Sequence, residues 1–221
     1  AACDARGMKV VLDLVMNHTG QEHPWFVESR GGPEAERRDW YLWRSDDPGW
    51  KQPFGTANVW HRFGGNAYYY GVFSSTMPDL DYRQPAVVAE MTDVARDWLA
   101  RGAAGFRLDA ARYLIESADG QLADQPETHA FWKSLRAALN PEAYLVGEVW
   151  TSRAAVSTYY GEGDELHQAF DFDLQGAIVK AVGDGTNTWL TQTLAAQKTA
   201  GTPWSYEATF LSNHDLDRLA K

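Results

Sequence analysis

The chain predicts an α/β fold built on a parallel sheet of the kind that barrel enzymes use, and three observations carry the prediction. Short aliphatic runs alternate with segments whose apolar residues recur at helical spacing. Three of the runs close on an acidic residue: Asp109 in Gly-Phe-Arg-Leu-Asp-Ala-Ala, Glu148 in Tyr-Leu-Val-Gly-Glu-Val-Trp and Asp215 in Phe-Leu-Ser-Asn-His-Asp. Residues 19–82 follow neither pattern and are rich in Gly, Pro, Trp and Tyr.

Taken in order, residues 1–7 read as the tail of a helix closed by Gly7, so the chain reads as truncated at this end. Residues 9–15, Lys-Val-Val-Leu-Asp-Leu-Val, form a nearly unbroken β-branched and aliphatic run, the pattern of a parallel strand covered on both faces. Similar runs at 105–108, 144–149, 169–172 and 208–212 predict four more strands. Between them, 85–101, 127–139 and 189–200 carry the one-faced spacing of amphipathic helices. Strand alternating with helix implies a parallel sheet. The stretch 19–82 is too long for one loop inside a core and reads as a small irregular subdomain, an excursion from the carboxyl end of the first strand placed over the active face. Five strands are too few for a closed eight-stranded barrel, which takes about 250 residues. The chain therefore divides into a partial barrel, 1–18 and 83–221, and an insertion, 19–82.

Composition narrows the function. With 221 residues, 44% of them apolar and 23% charged, the chain can bury a substantial core. A formal charge of −10 without a Lys/Arg-rich run argues against nucleic acid or an anionic membrane as partner. A neutral or cationic substrate fits better. Ten Trp, ten Tyr and nine Phe supply flat faces that suit the C–H-rich faces of sugar rings, although most of them are expected in the core. The single Cys3 excludes an internal disulfide, and no apolar run is long enough to cross a membrane. Extracellular, periplasmic and cytoplasmic settings all stay open.

Side chains two apart on a strand share a face, so Arg107 and Asp109 are presented together. A guanidinium beside Asp109 keeps the carboxylate ionised, as a nucleophile must be; the same pair also reads as a buried structural ion pair. Glu148, between Gly147 and Val149-Trp150, has apolar neighbours that raise a carboxyl pKa and suit it to protonate a leaving oxygen, unless it simply faces solvent at a strand end. Asp215 with His214 offers a second anion and an imidazole, or plain turn chemistry. Asp13, Asn17 and His18 follow the same strand-end logic. Polar clusters at four strand ends, each after an apolar strand, are hard to attribute to solvated surface.

The segments 13–18 (Asp-Leu-Val-Met-Asn-His), 105–113 (Gly-Phe-Arg-Leu-Asp-Ala-Ala-Arg-Tyr), 147–150 (Gly-Glu-Val-Trp) and 210–215 (Phe-Leu-Ser-Asn-His-Asp) resemble the four ordered signature regions of the α-amylase family of glycoside hydrolases. Met77-Pro78-Asp79-Leu80-Asp81 is similar to the motif that family carries near the end of its inserted B domain. The resemblance implies a (β/α)8 barrel, present here as about strands 3 to 7, with the B domain inserted after strand 3, and a retaining mechanism on α-glucosidic bonds of α-glucans or malto-oligosaccharides. It implies Asp109 as nucleophile, Glu148 as general acid/base and Asp215 as transition-state stabiliser. Arg107, His18 and His214 become sugar contacts, Asp13 their support, and Arg112 a contact to the leaving group. No cofactor is required for the chemistry. In members that hold a structural calcium, Asn17 and Asp79 match side-chain ligands and the Tyr113 carbonyl another; the family often has His at the position of Tyr113 and Lys at that of Arg112. The aromatic-rich subdomain is expected to overhang the cleft through Trp60, His61 and Phe63.

His23-Pro24-Trp25-Phe26, Arg38-Asp39-Trp40-Tyr41 and Phe63-Gly64-Gly65 resemble the α-glucosidase and oligo-1,6-glucosidase branch, whereas Met77-Pro78-Asp79 is closer to a group that includes α-amylases. Transglycosylase and α-1,6-glucosidase readings therefore stand beside α-1,4 hydrolysis. A metal-dependent hydrolase is disfavoured, because the histidines are scattered singly with neither His-x-His nor His-Glu-x-x-His. A non-catalytic sugar-binding or partner-binding relative is disfavoured by the joint presence of Asp109, Glu148 and Asp215.

Overall fold

The computed structural model describes residues 2–219. Asp4–Arg6 forms a single 3-10 turn, closed by Gly7 in the left-handed region (φ 68°). Five strands follow in one parallel sheet: β1 Val11–Leu14, β5 Gly105–Leu108, β6 Tyr144–Gly147, β7 Gln168–Phe170 and β8 Glu207–Ala208, hydrogen-bonded in that order. The connections carry helices α2 Pro85–Ala100, α3 Pro126–Ala138, α4 Arg153–Thr158, α5 Phe172–Asp184 and α6 Thr188–Ala200. The main core lies between the sheet and α2 and α3, where Phe106, Leu108 and Leu145 meet Met91, Ala95, Trp132 and Leu135.

Register fixes what each face presents. Leu12 pairs with Phe106 and Leu14 with Leu108, and these side chains belong to the core. Asp13 pairs with Arg107 and so shares the opposite face with it. That face is open rather than covered, and Val11 on it is 42% exposed. The expectation of a first strand covered on both faces is thus corrected. β1 stands at one end of the strand order, with β5 as its one strand neighbour among the described residues.

The expected last strand, 208–212, is also corrected: pairing stops after Ala208, and Phe210 to Asp215 continue as an irregular segment. α5 replaces the expected strand end at Phe172. Asp171 caps it by accepting from the Leu174 N–H at 2.9 Å, and Gly185 closes it at φ 66°.

Residues 19–82 carry a second sheet, antiparallel, of β2 Trp43–Arg44, β3 Trp60–Arg62 and β4 Tyr68–Tyr70 in the order β2-β4-β3, with the short helix α1 Pro24–Ser29 beside it. The chain leaves and returns at one place. His18 bridges Asp79, Tyr41 bridges Leu80, and the Leu80 N–H donates to the Asn17 carbonyl at 2.9 Å. Phe26, Tyr41 and Tyr69 then pack with Met16 and Leu80, so the insertion is footed in the main core.

Candidate active site

Arg107 organises the carboxyl end of the sheet. Its Nη1 donates to both oxygens of Asp13, at 2.9 and 3.1 Å, and to Asp109 Oδ1; its Nη2 donates to Glu148 Oε2 at 2.6 Å. Strand geometry makes this cluster unavoidable. Asp13 and Arg107 are paired neighbours, Asp109 is two residues on from Arg107, and Glu148 follows directly after Gly147, the partner of Leu108. Gly147 matters to that placement, because a Cβ there would come within 2.3 Å of Leu166 Cδ1. The residue after Asp109, Ala110, sits in the left-handed region at φ 49°. This turn lets the Ala110 N–H reach Glu148 Oε2 (3.4 Å) and the Ala111 N–H reach the Glu148 carbonyl (3.2 Å). The buried Trp132 fixes the turn from below, donating from Nε1 to the Ala111 carbonyl at 2.9 Å.

The electrostatics of the cluster act on Glu148. Burial pushes Glu148 above the usual carboxylate range; Asp109 and Asp215 push the same way, against Arg107 and the Ala110 N–H. Asp215 therefore lies close enough for its charge to be felt at Glu148. Burial works against the charge on Arg107, but its three carboxylate partners outweigh it and the pKa rises. Burial likewise lowers His18, opposed by the charge of Asp109, which favours a neutral imidazole able to bond a hydroxyl. Asp215 itself is half exposed, with its Oδ2 3.2 Å from His214 Nε2.

Arg112 sits beside the cluster with its guanidinium already engaged. It forms a two-point pair with Asp124, Nε donating to Oδ1 at 3.1 Å, and its Nη1 donates to the Trp150 carbonyl at 3.0 Å. Its direct effect is thus on the segment that carries Glu148.

Of the aromatic contacts expected from the subdomain, Trp60 needs correction: only 4% exposed, it packs against Trp50 and Tyr70 in a second small core. His61 donates from Nε2 to the Gly71 carbonyl (2.9 Å), and Phe63 rests on Trp43 and Tyr69. Strand alternation turns Trp60 and Tyr70 to one side of the sheet and His61 and Tyr69 to the other. The aromatic residue that meets the site is Phe73, its ring centroid 5.4 Å from His18 and 5.6 Å from Tyr113, with Phe54 stacked on it at 5.5 Å. A second one is Trp150, 53% exposed and stacked on Phe172 at 4.5 Å. Its nearness to Glu148 in sequence was the available signal; Phe73 had none beyond its proximity to the Asp79 turn.

Asn17 and Asp79 are buried at the neck of the insertion, and their side chains interact. Asn17 Oδ1 and Asp79 Oδ2 have no hydrogen-bond partner. Burial drives Asp79 well above the usual carboxylate range. Two unpartnered buried oxygens fit the taste of a hard cation for oxygen ligands. Among the described residues, no three His, Cys, Asp or Glu gather as a metal cluster. The Tyr113 N–H donates to the Ala110 carbonyl at 2.9 Å, which ties the turn after Asp109 to the same neighbourhood.

Comparison with known proteins agrees with this arrangement. The family model described as Alpha amylase, catalytic domain, matches residues 1–221. The chain is 33% identical over 218 residues to Alpha-amylase 3 of Dictyoglomus thermophilum, covering 97% of this chain and 41% of that protein. It is 36% identical over 238 residues to trehalose synthase/amylase TreS of Mycolicibacterium smegmatis, covering 97% of this chain and 38% of that protein. Among solved structures, the α-amylase from H. orenii superposes with a TM-score of 0.83 at 31% identity, covering 99% of this chain and 45% of that one. The chain thus spans less than half the length of the relatives it matches, and its open sheet corresponds to consecutive strands of their barrel. Matched along its whole length and carrying the Arg107 cluster at its strand ends, the chain belongs to the α-amylase family of glycoside hydrolases.

Proposed function

We propose that the chain carries the catalytic centre of a retaining hydrolase of α-glucosidic bonds in α-glucans or malto-oligosaccharides. The observation that carries this reading is the single Arg107 guanidinium holding Asp109 and Glu148 on its two terminal nitrogens, an arrangement that keeps two carboxyl groups close at adjacent strand ends. Close carboxyl pairs suit double displacement, whereas inversion needs room between them for a water. Asp109, held by Arg107, attacks the anomeric carbon. Glu148, raised in pKa by burial, gives its proton to the departing oxygen, and the electrons of the broken bond leave with that oxygen. Glu148 then takes a proton from water as the water attacks the glycosyl-enzyme, releasing sugar of retained configuration. Asp215 offsets positive charge on the ring, and neutral His18 bonds its hydroxyls.

A sugar hydroxyl in place of water turns the same centre to transfer, and the similarity to a trehalose synthase/amylase favours keeping that second reading. We also propose that Asn17 and Asp79, with the Tyr113 carbonyl, hold a structural calcium, which would supply positive charge to the neck of the insertion and take no part in bond cleavage.

Azide separates the roles. Glu148→Gly, supplied with an activated aryl α-glucoside and azide, should regain turnover and yield a glycosyl azide of retained configuration, because azide attacks the glycosyl-enzyme without needing a base. Asp109→Gly should give the inverted azide. An inverted product from Glu148→Gly would exchange the two assignments. Products from maltotriose, isomaltose and maltoheptaose distinguish α-1,4 from α-1,6 cleavage, and hydrolysis from transfer.

A further inference from the structure

Among the described residues, two that are not glycine take positive φ: Ala110 (49°), in the turn after Asp109, and Asp124 (59°), in the loop that leads to α3. Ala110 serves the contacts to Glu148. A residue with a Cβ stays in the left-handed region only where its surroundings over-determine it, and around Asp124 they do. Its N–H donates to the Arg112 carbonyl at 3.0 Å, while its carboxylate accepts Arg112 Nε on Oδ1 at 3.1 Å and Nη2 on Oδ2. Oδ1 also accepts from the Tyr159 hydroxyl at 2.7 Å. Tyr159 directly follows α4 and is fully buried, its ring 4.4 Å from that of His129, whose Nδ1 lies 2.8 Å from Oε2 of the buried Glu165. The Asp124 carboxylate is thus fixed from two sides by groups that are themselves fixed.

Arg112 carries this rigidity to the site. Its remaining terminal nitrogen, Nη1, donates to the Trp150 carbonyl at 3.0 Å, and the neighbouring Ala111 N–H donates to the Glu148 carbonyl at 3.2 Å. Two ties, at the carbonyls of residues 148 and 150, therefore join the turn after Asp109 to the segment that begins with Glu148, with the buried Val149 between them. A guanidinium anchored only at Trp150 could pivot about that one bond. Pinned through two atoms on Asp124, its flat fork has one orientation.

We propose that Asp124 is a positioning residue for Glu148: by locking Arg112 it holds residues 148–150 against the turn that carries Asp109, and so fixes the spacing of the two reacting carboxyl groups. The proposal rests on the reading of Asp109 as nucleophile and Glu148 as acid. Asp124 touches no substrate; its effect passes through Arg112 and the Trp150 carbonyl. Arg112 then braces the acid instead of meeting the leaving group. A misplaced proton donor fails first where the departing oxygen most needs the proton.

The test measures kcat/KM along a series of aryl α-glucosides of rising leaving-group pKa. Asp124→Asn keeps a side chain that tolerates the left-handed region and removes the charge that pins the guanidinium. It should lower kcat/KM by about tenfold for the poorest leaving group and by less than about twofold for a dinitrophenyl glucoside, steepening the series. Arg112→Lys, whose ammonium lacks the fork, should do the same, and the double variant should be no worse than either single one. Equal losses along the series would leave Asp124 a merely structural residue and overturn the proposal, as would losses that multiply in the double variant. Glu148→Gln, measured alongside, separates the two readings. If it steepens the series and Asp124→Asn does not, the brace falls and the acid stands; if it leaves the slope unchanged, the acid assignment falls and the proposal with it. The Thr151 amide, which shares its peptide group with the Trp150 carbonyl, gives a readout independent of turnover. Its 15N NMR cross-peak should shift in Asp124→Asn; an unmoved cross-peak would show that Arg112 holds Trp150 without Asp124 and would also overturn the proposal.

Discussion

Arg107 sets the terms on which the acid groups of this site work, since one cation faces Asp13, Asp109 and Glu148. Negative charge outnumbers positive around Glu148, which reinforces what burial does to its proton affinity. Removing one of those charges must therefore lower it. Asp215→Asn takes away an anion that raises Glu148, so the Glu148 pKa should drop, which 13C-carboxyl NMR titration measures directly. In whatever activity remains, the alkaline limb of the pH–rate profile should move to lower pH, because in the proposed mechanism that limb marks loss of the proton Glu148 donates. An unchanged or higher Glu148 pKa would mean that Asp215 does not share the site in solution.

At the scale of elements, the placement of Glu148 depends on the fit between β6 and the chain that packs under it. Gly147→Ala puts a methyl group against Leu166 and should destabilise the protein by about 1–3 kcal/mol in urea titration, with Glu148 displaced and kcat reduced. At the neck of the insertion, calcium should raise Tm, and Asp79→Asn should abolish the rise, because it removes the charge at the unpartnered pair; Tm insensitive to calcium and to chelator would sink the metal assignment. How much of this was legible follows from what local pattern encodes. β5 has the bounds its aliphatic run announces, and α2 and α3 begin at prolines in the first helical turn, where a missing N–H does no harm. The acidic residues at the ends of β5 and β6 could be read in advance because strand alternation aims them. α5 was not legible: its glycines and valines resemble a strand and turn, and only the cap from Asp171 settles the matter. Trp60 and Phe73 exchanged roles for a similar reason. Residues in short strands and turns take their facing from partners far away in the chain, which periodicity does not report.

For the whole molecule, an acidic chain with several buried carboxyl groups should not be most stable where its carboxylates are all ionised. Glu116, held above its ordinary range mainly by burial and only partly relieved by Arg83, titrates at about 7 when folded against 4.5 ordinarily. The folded state thus binds the extra proton between these values, so its contribution to stability is whole below about pH 4.5 and fades as pH rises through 7. Glu116→Gln should flatten that decline in urea titrations from pH 5 to 8; an equally steep decline in the variant would assign it to other groups. A different consequence lies in the neck of the insertion, where the outgoing chain at His18 and the returning chain at Asp79 are bridged side by side. Ends fixed so close together make the excursion nearly free to change in length, since closing a longer loop adds only about 0.6 kcal/mol per doubling. Its tip around Gly64 and Gly65 can be rewritten without moving a carboxylate, whereas its footing on Phe26, Tyr41 and Tyr69 cannot. In an inheritance of small insertions and deletions, such a shape lets the tip drift while the carboxylate cluster below stays where it is.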